Sequence, residues 1–247
     1  MPPALLTAVL DALEENRRAW SFAGHLKALV IGTRHFGLRP CEWERAFWKD
    51  ESKSVLVVTN AKFADTVMER GPQKGAKWRR GNGIERELRI QKMYHGTLTA
   101  IADNAMEVGK HSPYSNKVNG AMFRRTHRWA IEAVRETGLF QPSILKRITI
   151  YSYRHTFSAE AKASLDLSRG EVAALMGHIS TKTAVQSYAR RSAKGGLKVR
   201  PTPESVEAVL VKDKALSKPQ KPDVKQNAQP DNLIEKEWPH KGPTPSR

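Results

Sequence analysis

The sequence predicts a mainly α-helical fold with a small antiparallel β-meander (α+β), followed by a tail that has no core of its own. Three observations point there: apolar residues recur at helical period through several segments free of Gly and Pro, a β-branched run interrupts that pattern, and the composition changes near Lys198. At 247 residues the chain is long enough for one domain with a substantial core. That domain is placed at residues 1–199 and a mostly disordered tail at 200–247. Eight of the fourteen prolines fall from Pro201 onward, among Lys, Gln, Asp and Asn, which leaves too little apolar surface to offset the entropy of ordering.

Residues 4–14 set Leu5, Val9, Leu10 and Leu13 along one side of an amphipathic helix, and Phe22–Thr33, mostly apolar, predicts a second, central one. Ser54–Thr59 is β-branched and bounded by polar residues, so it predicts a strand. From Glu69 to Lys92 the chain carries eight Lys or Arg against three Glu, punctuated by Gly71-Pro72, Gly75 and Gly81-Asn82-Gly83. That pattern predicts a basic loop or open hairpin. A further strand follows over Ile84–Ile90, with Arg86 and Arg89 to one side.

His95–Val108 predicts a helix ending at Gly109, and Gly120–Glu136 a strong one after a loop rich in Ser, Asn and Pro. In the second, Met122, Phe123, Trp129, Ala130, Ala133 and Val134 face inward while Arg124, Arg125 and Arg128 are exposed. Phe157, Ala161 and Leu165 give helical period to Thr156–Leu165. Ser168 with Glu171 forms a capping box that opens the next helix, and Gly177 stops it. His178 then sits at a helix C-terminus, where the dipole favours its protonated form. A third short helix begins at Ser180 or Thr181, and Ser205–Val211 forms one more in the tail.

Lys and Arg outnumber Asp and Glu by 42 to 25, a net charge of +17. Only nine basic and seven acidic residues lie from Arg200 onward, so the globular part holds nearly all of that excess. Such a charge favours a polyanionic partner, because displacing counterions from nucleic acid drives association without base reading. The single cysteine, Cys41, excludes an internal disulfide and a Cys-based zinc site. With no signal-peptide pattern and no apolar run of about 18 residues, a soluble, cytoplasmic protein without a membrane partner is expected.

The most specific pattern is Tyr151–Arg191, which sets Arg154-His155, Met176-Gly177-His178 and Tyr188-Ala189-Arg190 along consecutive short helices. A guanidinium, an imidazole and a phenol are the groups needed to hold a phosphate and attack it with an oxygen nucleophile. Each alone has an ordinary explanation: Gly-His is a common helix cap, a single Arg a surface charge, a Tyr half-buried packing. Their order is what carries weight.

This stretch resembles the C-terminal boxes of the tyrosine recombinases, the phage integrase family, in which Arg-His-Thr, Leu-Gly-His and the nucleophilic Tyr follow one another. Gly37-Leu38-Arg39-Pro40-Cys41-Glu42 is similar to the first box of that family, and Lys62 follows the Ser54–Thr59 strand where the family has a Lys in the turn of a short β-meander. The resemblance covers residues 20–195. It implies a recombinase catalytic domain in which Arg39, Lys62, Arg154, His178 and Tyr188 are catalytic, Tyr151 and His155 support them, and Ile84–Ile90 is the third strand of the meander. Tyr151 departs from the His or Lys common at its position.

The resemblance further implies double-stranded DNA as partner, touched by Arg79, Arg80, Arg124, Arg125 and Arg128. It implies a homo-oligomer that becomes a synaptic tetramer on DNA, room for accessory DNA-binding proteins, and no metal or other cofactor. Family members carry a separate DNA-clamping domain before the first box, and none is expected in the residues ahead of Arg39. Val206, Val209 and Leu210 are candidates for contact with a neighbouring subunit. The activity implied is site-specific recombination through a 3′-phosphotyrosyl intermediate, as in an integrase or invertase of a prokaryotic mobile element or phage. A DNA-binding protein that keeps the fold without recombination, and a type IB topoisomerase-like enzyme, are the competing readings.

Overall fold

In the computed structural model the described residues are 1–61, 64–67, 77–80, 83–178, 180–181 and 197–217, with backbone alone at 64–67, 77–80 and 215–217. Helix α1 (Pro3–Glu15) buries Leu5, Val9, Ala12 and Leu13, one stripe at helical spacing, and packs on α2 (Ala23–Phe36) and α4 (Lys117–Glu136). Most of α2 is buried, and it lies against α1, α3 (His95–His111), α4 and α6 (Ile150–Ala163). A short helix, α5, spans Pro142–Leu145, α7 spans Arg169–Met176, and the last described helix, α8, spans Pro203–Ser217. The fold is thus mainly helical with a small antiparallel sheet.

That sheet has the order β1-β2-β5-β6, from Phe47–Trp48, Val55–Thr59, Glu85–Ile90 and Val199–Pro201, all neighbours antiparallel. A separate ribbon pairs β3 (Ala64–Val67) with β4 (Lys77–Arg80). Four residues of β2, Val55 to Val58, are buried. β5 alternates: Arg86, Leu88 and Ile90 are buried while Glu85 and Arg89 are exposed. Arg86 and Arg89 therefore point to opposite faces, not to one side, because three residues is an odd step in a period of two.

Helix α4 is capped by Asn116, whose side chain accepts from Val118 N at 2.9 Å and Asn119 N at 3.2 Å. Its buried stripe is Phe123, Thr126, His127, Ala130, Ile131 and Val134, and Arg124, Arg125 and Arg128 face out. Trp129, expected inward, is 41% exposed and lies instead beside Trp20, ring centroids 5.9 Å apart. Position 129 falls about 100° round the helix from Ala130, off the stripe. Leu165 likewise lies beyond the end of α6 and is 57% exposed.

The first compact unit extends past the boundary expected at 199. Met1–Ser217 form one compact unit, and residues 218–247 lie outside the described ones. β6 pairs Val199 with Ile90 and Pro201 with Leu88, and α8 packs on α7, where Gly170 faces Val206 and Leu210. Val209 is fully buried within this same chain, which corrects the expectation that it is kept for a neighbouring subunit. Proline content marks where helices and strands stop, and Pro201 and Pro203 sit at such ends without preventing order between and after them. No helix among the described residues is long and apolar enough to cross a membrane.

Helix α2 ends at Gly37, whose φ of +67° is left-handed, and a Cβ there would stand 2.2 Å from the Phe157 ring of α6. Gly37→Ala is expected to cost about 3 kcal/mol, from strain and overpacking together. Urea unfolding monitored by circular dichroism checks it, and an unchanged midpoint contradicts the close packing at this turn.

Candidate active site

The turn after Gly37 delivers Arg39 as the N-cap of a 3-10 helix, Pro40–Arg45, with Pro40 in the first helical position that its ring suits. Glu42 closes a capping arrangement: its Oε2 accepts from Arg39 N at 2.8 Å and its Oε1 from the Arg39 guanidinium. Oε1 also accepts from Ala61 N at 3.3 Å, just past β2. The Glu42 side chain has no exposed surface.

Two further guanidiniums converge on it. Arg86 Nη2, from β5, lies 2.9 Å from Glu42 Oε2, and Arg154 Nη1, from α6, lies 3.7 Å from the same oxygen. Arg154 also donates to the carbonyl of Gly37 and, at 2.8 Å, to that of Met176. Arg86 donates to Asn60 Oδ1 and, at 3.1 Å, to the carbonyl of Leu175. Arg154 and Arg86 thereby satisfy the last carbonyls of α7, which otherwise lack partners at a helix end.

Helix α7 opens with the expected capping box, Ser168 with Glu171, and closes at Gly177, φ +63°. A Cβ on Gly177 would stand 2.6 Å from Asn60 Oδ1, so this position needs glycine for space as well as for backbone shape. His178 N then donates back to Ala173 O at 2.9 Å, and its imidazole is carried two residues past the Met176 carbonyl that Arg154 holds. The structure thus brings Arg39, Arg154 and His178 to one place.

The electrostatics are lopsided: three guanidiniums surround one carboxylate. Burial alone pushes the Glu42 carboxyl up, but Arg86, Arg154 and Arg39 outweigh it and hold the pKa at about 2. Burial pushes Arg154 down, and Glu42 opposes that shift. His178 is lowered to about 4, first by burial and then by Arg154 and Arg39. Its ring is therefore neutral at pH 7, which corrects the protonated form expected from the helix dipole. Dipole attraction at a helix end is worth about 0.3–1 kcal/mol, less than burial beside cations removes. His178 Nδ1 is buried and finds no hydrogen-bond partner among the described residues.

Tyr151, on α6 one turn before Arg154, is 39% exposed; burial raises its phenol pKa, with Cys41 and Tyr114 adding to the shift and Arg39 opposing it. It opens on a cleft of about 680 Å³ whose walls include Tyr114, Arg124, Arg125, Arg128 and Thr149. The three arginines, predicted as a DNA-facing row, have no salt bridge among the described residues and border the same cleft as Tyr151. His155 is elsewhere. It lies on the exposed side of α6 with Ser152, Thr156 and Ala159, away from the buried face that carries Arg154, which corrects the supporting role expected of it.

Lys62 and Tyr188 lie outside the described residues, as do the side chains of Arg79 and Arg80, whose strand β4 pairs them with Asp65 and Ala64. The residues that sequence reasoning passed over are Glu42 as the centre of the cluster, Asn60 and Arg86. A signal for Arg86 is present in the sequence: it shares the inward register of β5 with Leu88 and Ile90, where a charged residue requires a buried partner. No protein-family model, curated protein or solved structure matches the chain.

Because the folded pKa of His178 lies below its unfolded value near 6.5, the unfolded chain takes up the proton first. This imidazole withdraws no stability at pH 7 and withdraws it progressively as pH falls from about 6.5 to 4. An NMR titration of the ring is expected to give a midpoint near 4. A midpoint at or above 6.5 would restore the dipole as the dominant influence.

Proposed function

We propose that the chain is a tyrosine-type site-specific DNA recombinase that cuts and rejoins DNA through a 3′-phosphotyrosyl intermediate. The observation that carries the reading is the meeting of Arg39, Arg154 and His178, from three distant segments, in a cluster with more positive charge than Glu42 neutralises. A phosphodiester resists attack because its charge repels nucleophiles and its leaving alkoxide is poor. Arginine forks match phosphate oxygens and stabilise the added charge of the pentacoordinate transition state.

In this mechanism Tyr188 Oη attacks phosphorus and loses its proton, the P–O5′ bond breaks, and Lys62 supplies the proton that the departing 5′-oxygen needs. Neutral His178 donates a ring N–H to a phosphate oxygen. Reversal by a 5′-hydroxyl rejoins the strand, and because the bond is conserved as a phosphotyrosine no nucleotide energy source enters. The exposed Arg124, Arg125 and Arg128 hold flanking phosphates, and copies of the chain assemble as a tetramer on two duplexes. The working place is then the cytoplasm of a prokaryotic or phage-bearing cell.

A second reading, a DNA-binding protein without strand exchange, draws on the same arginine face and on the extent to which Arg154 is already engaged by Gly37 and Met176 carbonyls. Incubation with nicked duplexes taken from DNA flanking the gene separates the two. A DNA-linked band on denaturing gels that disappears in Tyr188→Phe is the expected result. Tight binding with no band favours the binding-only reading, and sequence-independent relaxation of supercoils favours a type IB topoisomerase-like enzyme.

Charge reversal tests the footprint by itself. Arg124→Glu with Arg128→Glu is expected to weaken duplex binding and to reduce the slope of log K against log salt by about 2, since each arginine neutralises one phosphate. An unchanged slope removes these residues from the interface.

A further inference from the structure

Arg86 differs from the other two guanidiniums of the cluster. Its side chain has 0% exposed surface, against 11% for Arg39 and 7% for Arg154, so it is the one that no ligand can touch. Each of its three nitrogens donates within the protein, to Glu42 at 2.9 Å, to the Leu175 carbonyl at 3.1 Å and to Asn60 Oδ1. Those three acceptors sit on three different site-bearing segments: the 3-10 turn that carries Arg39, the end of β2, and the last turn of α7 before His178. Asn60 is fixed in turn by Asn60 N to Ile84 O at 2.8 Å and Asn60 Nδ2 to Gly83 O at 3.0 Å.

We infer that Arg86 is a positioning residue of the proposed phosphodiester site: it carries the largest share of the charge that balances Glu42, so that Arg39 and Arg154, which also face that carboxylate, keep more of theirs for the phosphate, and it holds the Arg39 turn, the end of β2 and the His178 end of α7 in one register. The inference rests on the recombinase reading for its ligand and on the geometry for everything else. With Arg86 present, the cluster of three guanidiniums and one carboxylate carries two uncompensated positive charges. Without it, Arg39 and Arg154 alone must balance Glu42, and one net charge is lost where phosphate binds. A buried ion pair that served stability alone makes a different prediction, since replacing both partners by uncharged groups of similar size is often neutral for folding yet has no reason to restore ligand binding.

The test uses the full chain with two readouts: inorganic phosphate binding, followed on the His178 ring resonance, and the rate of covalent capture of a nicked duplex. Thermal melting first establishes that each variant is folded. Arg86→Met is expected to bind phosphate about tenfold more weakly, from the loss of one net charge at the site, and to capture DNA about 10²-fold more slowly. Adding Glu42→Gln to Arg86→Met returns the site to two positive charges, and phosphate affinity is expected to recover while the capture rate stays low because the register is still lost. Arg86→Lys keeps the charge without the fork, so it is expected to bind like the wild type and react slowly.

Recovery of binding in the double variant with capture still slow supports both halves of the inference. A folded Arg86→Met that binds and captures like the wild type overturns it and leaves the recombinase reading standing, as does a double variant no better at binding than Arg86→Met. If Arg86→Met does not fold, Arg86→Lys decides, and a wild-type capture rate overturns the inference. If the wild type captures no DNA, the recombinase reading fails separately, and the phosphate titrations alone decide the role of Arg86. No phosphate binding by the wild type overturns both.

Discussion

A carboxylate with no exposed surface is the constraint from which the rest of this protein can be derived. Ionised Glu42 is intolerable in an apolar interior unless its charge and all its lone pairs are met, and meeting them requires groups from four separate segments. The 3-10 turn supplies Arg39, the end of β2 a backbone N–H, β5 Arg86 and α6 Arg154. Each of those segments is delivered by something else in the fold: the left-handed Gly37, the pairing of β2 with β5, and the packing of α6 on α2. Removing one partner of such a cluster typically costs about 3–5 kcal/mol, comparable to a large share of a domain's whole stability. The cluster is thus both what the packing must serve and what makes the packing specific.

Much of the fold was legible because local rules and the tertiary environment agree. The capping box of Ser168 and Glu171, the stop at Gly177, the strand at Val55–Thr59 and the arginine face of α4 all follow from spacing alone and all appear. The resemblance grouped Arg39, Arg154 and His178 by motif, and the backbone brings them into one place. The failures at Arg86 and His178 share a cause, in that the deciding interaction is with a residue far away in sequence. The sequence places Arg86 on one side of its strand with Arg89, and its role shows only once Glu42, Asn60 and Leu175 are seen around it. His178 reads as a protonated C-cap until its burial beside Arg154 is known.

Trp129 and the domain boundary at 199 fail for other reasons, although the helix expected at Ser205–Val211 lies within α8. An aromatic residue is taken as core by type, whereas the angle on the helix decides, and Trp20 offers an alternative place to bury part of the ring. Proline-rich composition is taken as disorder, whereas a strand of three residues needs only the open edge of β5, and a helix behind it needs only an apolar partner such as α7. The first proline of that region closes a strand and the second opens a helix. Composition averages over both uses.

The two outer strands of the sheet have a consequence for how copies of this chain can meet. β1 is two residues long and β6 only three, ending in a proline that has no amide hydrogen to donate. Both borders of the four-stranded sheet are thus poor templates for a strand from a second molecule, which disfavours growth by continuous backbone pairing there. Contacts between copies at this sheet are then left mainly to side chains, and a net charge of +17 opposes them. A polyanion of the kind proposed above would screen that charge and lower the repulsion between copies.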